Sequence, residues 1–214
     1  MAWLSPSFPV GAYTYSHGLE WAIEDGTVTS AASLGIWLTA ILRHGAGRTD
    51  AILFTHAWRA EGEALRAVAE LGAAFQPSKE RHLEAVAQGR AFLSAVTSAW
   101  PTPRLTAAVA IFADAPVPYA VAVGAAAAAH DIPLMPALIT TLTAFAANVI
   151  SAGVRAIPIG QSDGQRLIAA LGPVVAAIAG EAAHASLDDL GGAALRADIA
   201  SMKHETQYTR LFRS

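Results

Sequence analysis

The pentapeptide Gly160-Gln161-Ser162-Asp163-Gly164 has the G-x-S-x-G pattern, in which a serine on a sharp strand-to-helix turn becomes a nucleophile. Asp188 or Asp198, and then His204, follow it in the Ser–Asp–His order of such enzymes. That gives one enzymatic reading: a serine hydrolase built on Ser162. The chemistry needs a central strand before the turn and a sheet around it. Only 154–159 could supply the strand, and the first 150 residues have helical periodicity. No HGGG-type oxyanion loop precedes the motif. The bland reading is a loop and helix start, with Ser162 or Asp163 capping the helix that begins at Gln165-Arg166. It is the reading favoured, so no catalytic residue is assigned.

Other chemistries need groups that are missing or too scattered. The seven histidines are His17, His44, His56, His82, His130, His184 and His204, and none forms HExxH or another close metal pairing. His17 and Glu20 lie three apart and could share a helix face, but two ligands do not close a site. No tight metal site is expected; weak or shared coordination across a dimer stays open. There is no cysteine, hence no disulfide and no thiolate ligand. No Walker A sequence occurs, Gly45-Ala46-Gly47 reads as a helix stop, and GQSDG has no lysine to reach a phosphate. No nucleotide hydrolysis of its own is expected.

Composition narrows the class. Charged residues are 14% and hydrophobic ones 54%, against about 25% charged in ordinary soluble chains. Such a chain has apolar surface for other chains to cover, and a homodimer is expected. A net charge of −3 leaves no basic footprint for nucleic acid. Met1-Ala2-Trp3-Leu4 lacks a basic flank and runs into Ser5-Pro6, so no signal peptide is expected. The stretch 132–154 has no Asp, Glu, Lys, Arg or His, and its 23 residues could span a bilayer. Pro133, Pro136, Thr140, Thr141, Thr143, Asn148 and Ser151 favour a buried helix of a soluble bundle instead.

The elements that must position any site are helices. Thr29 could cap a helix with Leu34, Trp37, Leu38, Ile41 and Leu42 on one face. Thr49 or Asp50 could open the next, with Leu53, Phe54 and Trp58. A third fits 63–75 through Leu65, Val68, Leu71 and Phe75, before Gln76-Pro77 breaks it. Ser78 could cap a longer helix carrying Leu83, Val86, Leu93 and Val96, ended by Pro101 and Pro103. Further helices fit 105–113, 118–129, 134–156, 162–179 and 186–201. The five alanines at 125–129 read as a tight helix–helix contact. The fold class is all-α, a single-domain helical bundle over 1–201 with a C-terminal tail at 202–214.

Both ends of the chain are unusual. Near the start, SPSFPVGAYTYSHGLEW leads two prolines and a glycine into a helix studded with Tyr13, Tyr15 and Trp21. It reads as an aromatic plug or as a preformed partner surface. At the end, HETQYTRLFRS places Tyr208, Leu211 and Phe212 at i, i+3 and i+4, one face of a helix. So short a helix is marginal alone in water. The tail is therefore expected to order when a partner binds.

Three stretches in this order, PSFPVGAYTYSHGLEWAIEDG, IPIGQSDGQRLIAAL and HETQYTRLFRS, resemble the urease accessory protein UreF family, with SKERHLEAVAQGRAF between the first two. His17 stands where the family often has glutamine, and Ser162 where threonine is common, which argues further against a catalytic serine. The resemblance implies a cytoplasmic, homodimeric accessory protein with no turnover of its own. It would assemble with UreD (UreH in some organisms) and the GTPase UreG, and the complex would deliver nickel to apo-urease. No cofactor would be tightly bound; nickel would be handled by the complex. The partner-binding residues implied are Pro9, Gly11, Tyr13, Gly18 and Glu20, then Gln161, Gln165 and Arg166, then Glu205, Tyr208, Arg210, Leu211 and Phe212. Neither membrane nor nucleic acid enters this reading.

Overall fold

The computed structural model describes residues 2–214, and they form an all-α bundle with no strand among them. In order the helices are α1 Leu19–Glu24, α2 Ala31–His44, α3 Ala46–Arg59, α4 Gly62–Ala74, α5 Lys79–Ala99, α6 Pro103–Phe112, α7 Tyr119–Ala129, α8 Leu134–Ala156, α9 Gln161–Ala182 and α10 Leu195–His204. Short 3-10 turns cover Ala2–Leu4, Ala12–Thr14 and Leu187–Asp189.

The alanine run does what its size dictates. α7 is buried along nearly its whole length, wedged between α3 and α5. Small side chains let backbones close up: a Cβ at Gly124 would sit 2.6 Å from the Phe54 carbonyl oxygen, and one at Gly89 2.0 Å from that of Val117. Around this axis Leu34, Leu38, Leu42, Leu53, Phe54, Phe92 and Leu138 fill the core.

Several boundaries differ from the sequence reading for local reasons. α2 is capped by Ser30, whose side chain accepts from Ser33 N, rather than by Thr29. α3 begins at Ala46, so Gly45 is a corner shared by two helices, and Gly47 is buried where a Cβ would meet Leu42. α6 begins at Pro103, because Thr102 accepts from Leu105 N and proline at the first helical position loses no bond. The candidate strand 154–159 is the end of α8 and the turn after it. The region 186–201 divides into a 3-10 turn and α10. Of Tyr13, Tyr15 and Trp21, only Trp21 is in a helix; Tyr13 lies in a 3-10 turn and Tyr15 on extended chain.

α8, which holds most of the uncharged stretch, is not buried all round. One face packs into the core, while Met135 and Ser151 are exposed. Its threonines satisfy themselves: Thr140, Thr141 and Thr143 each donate to the carbonyl four residues back. By length and composition α8 and α9 could each cross a membrane; in this fold they pack on each other and on α2.

Candidate functional site

The two ends of the chain meet. Gly18, at φ 75°, stands before α1, and a Cβ there would fall 2.8 Å from Ser201 N, so only glycine lets α1 lie against α10. That contact sets Glu20, on the first turn of α1, beside the tail. Its carboxylate accepts from Leu211 N at 2.6 Å and Phe212 N at 3.0 Å, and faces His204 Nε2 at 3.0 Å. The other nitrogen of His204 lies 2.6 Å from Glu80, which also receives Arg210 Nη1 at 2.7 Å. His204 is wholly buried, and both contacts are hydrogen bonds when its ring carries both protons.

A third carboxylate completes the seat. Glu84 pairs with Arg81, faces His17 Nε2 at 3.2 Å, and accepts from Ser214 Oγ at 2.6 Å. Burial alone would push its carboxyl up; the Arg81 guanidinium, then His17 and the Ser214 hydroxyl, outweigh that and hold it below the usual carboxylate range. Burial, reinforced by Arg81, drives the His17 imidazole down to about 3, so it is neutral at pH 7. Backbone bonds finish the joint: Arg213 N donates to Thr14 O at 2.7 Å, and Ser16 N to Ser214 O at 2.6 Å.

Above the joint, Arg155 at the end of α8 reaches across. Its Nη2 donates to Tyr13 O at 2.9 Å, and its Cζ lies 3.7 Å from the Tyr13 ring centroid and 4.6 Å from that of Phe212.

The residues expected at the site fall into three groups. Pro9, Gly11 and Tyr13 are exposed on the first loop, while Gly18 and Glu20 are buried beneath it. Phe212 is buried, Arg210 is bound to Glu80, and Glu205 accepts from Lys79 N at the start of α5. Tyr208 and Leu211 point outward, 103% and 74% exposed. The expected helical face through Tyr208, Leu211 and Phe212 does not form. Two of the amides an α-helix would use there are taken by the Glu20 carboxylate. Gln161, Gln165 and Arg166 form a separate exposed patch on the first turns of α9, with Arg166 paired to Asp163 at 2.5 Å.

The hydrolase reading finds no geometry. Ser162 is exposed inside the first turn of α9, with no strand before it. Neither Ser162 nor Asp163 is the N-cap; Gly160 is, and its N–H donates to Asp163 at 3.1 Å. His204 is occupied by two glutamates. Nor do His17 and Glu20 share a face, since His17, at φ 58°, precedes α1 and turns to Glu84.

Sequence reasoning missed Glu80, Arg81, Glu84 and Arg155 as site residues, and gave His204 a place only in the hydrolase alternative. Arg155 had a signal, being the first charge after the uncharged stretch. The glutamates had a weaker one, in the charge-rich start of α5.

The UreF family model matches residues 28–172. A Rhodopseudomonas palustris (strain BisB5) protein named urease accessory protein UreF is 56% identical over 218 aligned residues, covering 100% of this chain and 89% of the relative. Proteins of the same name from Bradyrhizobium sp. (strain BTAi1) and Methylobacterium sp. (strain 4-46) are 55% and 53% identical, again over 100% of this chain and over 90% and 87% of their own lengths. With most of the chain inside the family model and relatives this similar from end to end, the chain belongs to the urease accessory protein UreF family.

Proposed function

We propose that this UreF protein serves maturation of the nickel metallocentre of urease as a non-catalytic scaffold. It assembles with UreD (or UreH) and the GTPase UreG in the cytoplasm, as a homodimer, and the complex hands nickel to apo-urease. The observation that carries this reading is a surface the fold does not use. Leu195, Ile199 and Met202, at i, i+4 and i+7 of α10, are 67%, 51% and 49% exposed, and the tail after them adds Tyr208 and Leu211. The opposite side of α10, through Ala200, Ser201 and His204, is buried. An outward apolar stripe on an anchored helix suits a partner groove. We assign it to UreD.

Tyr13, 63% exposed and stacked by Arg155, offers an aromatic anchor for the GTPase; Gln161, Gln165 and Arg166 offer a polar edge. The tail is held mostly by charged contacts with Glu20, Glu80 and Glu84, and only Phe212 of its large apolar groups is buried. It is the segment that partner binding would order further. Co-expression with UreD and UreG of the same organism tests the scaffold: all three should co-purify and activate urease, and a chain that captures neither overturns the reading. Hydrogen exchange in residues 206–214, slower in the complex than in the free protein, tests the ordering.

A further inference from the structure

Inside the bundle, between α3, α5 and α8, lies a cavity of about 90 Å³ that the partner surfaces do not explain. It has room for several waters or one small solute. Asp50 on α3 lines it, half-buried, and none of the hydrogen bonds or ion pairs among the described residues reaches its carboxylate. His17 lines it too, with a side chain only 9% exposed. Its Nε2 serves Glu84, so its Nδ1 bears a lone pair, and that buried atom has no partner. Asn148 adds an uncharged amide to the wall, and Phe54 and Phe145 add aromatic rings.

We propose that this cavity binds a small ammonium ligand, ammonium itself or a short primary amine, with the Asp50 carboxylate as counter-ion. With Asp50 ionised, the charges around it favour a cation. Arg81 and Glu84 neutralise each other, His17 is neutral, and Tyr119, with its hydroxyl pushed up to about 12 by burial, is neutral as well. An ionised Asp50 leaves one uncompensated negative charge, which is costly in an apolar setting. Unpaired acceptors call for a ligand that brings donors. An anion would meet Asp50 head on. No three His, Cys, Asp or Glu side chains among the described residues gather as metal ligands do.

Burial holds Asp50 up to about 6, with Arg81 pulling down and Glu84 pushing up, so the site gains its charge as pH rises past that value. Binding should strengthen between pH 5 and 7.5. This proposal stands independently of the scaffold role.

The test is amide NMR of the full chain titrated with ammonium chloride or methylammonium chloride at constant ionic strength. Saturable shifts around Asp50, Phe54 and Asn148 are expected, weaker at pH 5, absent with potassium chloride, and absent with tetramethylammonium, which is too large. Asp50→Asn keeps the shape and should weaken binding by roughly tenfold or more. Equal shifts with potassium, no saturable shift in the unmodified protein, or undiminished binding in Asp50→Asn overturns the proposal. The unmodified protein decides the first two outcomes even if the variant folds poorly.

Discussion

Arg155 places its guanidinium between two rings that are far apart in sequence, 3.7 Å from the centroid of Tyr13 and 4.6 Å from that of Phe212. One residue at the end of α8 thus ties the exposed first loop to the buried aromatic ring of the tail. Substituting Arg155→Ala removes both contacts and the bond to Tyr13 O. A loss of about 1–2 kcal/mol is expected from two partly exposed cation–π contacts, with weaker capture of the GTPase. Arg155→Lys should not restore it, since a compact ammonium cannot stack as a planar fork does. Chemical denaturation and a binding assay on both variants check this.

Glu20 is the keystone of the tail seat. Glu20→Ala removes the acceptor of two backbone amides and leaves His204 facing Glu80 alone. Breaking a buried charged contact from one side costs on the order of 3 kcal/mol. Urea unfolding should show the loss, and hydrogen exchange should show the tail released with the rest of the bundle protected.

Two groups in the cavity wall give opposite pH dependences. His17 has a folded pKa of about 3, below its unfolded value of 6.5, so the unfolded chain takes up its proton first. That penalty is absent above about 6.5 and grows as pH falls toward 3. Asp50 has a folded pKa of about 6, above 3.8, so it favours the fold fully only below about 4 and loses that contribution as pH rises through 6. His17→Gln should therefore flatten the fall in melting temperature between pH 6.5 and 4. Asp50→Asn should melt above the parent at pH 7.5, with the gap closing by pH 4. Thermal scans in ammonium-free buffer from pH 4 to 7.5 measure both.

Ser162→Ala should change stability by no more than about 0.5 kcal/mol, the usual range for exposed positions without a special role. Urease activation should be unaltered. A loss of maturation in this variant would restore a chemical role to the GQSDG turn.

The helices were legible because the apolar residues recur at helical spacing; α8 has the bounds 134–156 expected for it. The charged floor of the site was not. On α5 the sequence pattern put Leu83 in the core, yet Leu83 is 57% exposed while Arg81, Glu84 and Gln88 are buried. Hydrophobic periodicity finds faces that sink into apolar cores, and here the first turns of α5 sink into a polar one. The tail misled for a related reason. Its spacing suits a helix, but its amides are claimed by Glu20, 191 residues away from Leu211 in sequence. No local pattern encodes such a partner.

The most direct measurement of the scaffold reading is capture of UreD by a chain whose outer α10 face is changed. Leu195→Glu with Ile199→Glu alters two exposed side chains and leaves the buried Ala200, Ser201 and His204 of α10 in place. The account predicts an unchanged helical spectrum and melting temperature, no co-purification of UreD, and no activation of urease. Co-purification and urease activation at parental levels in this double variant would contradict it.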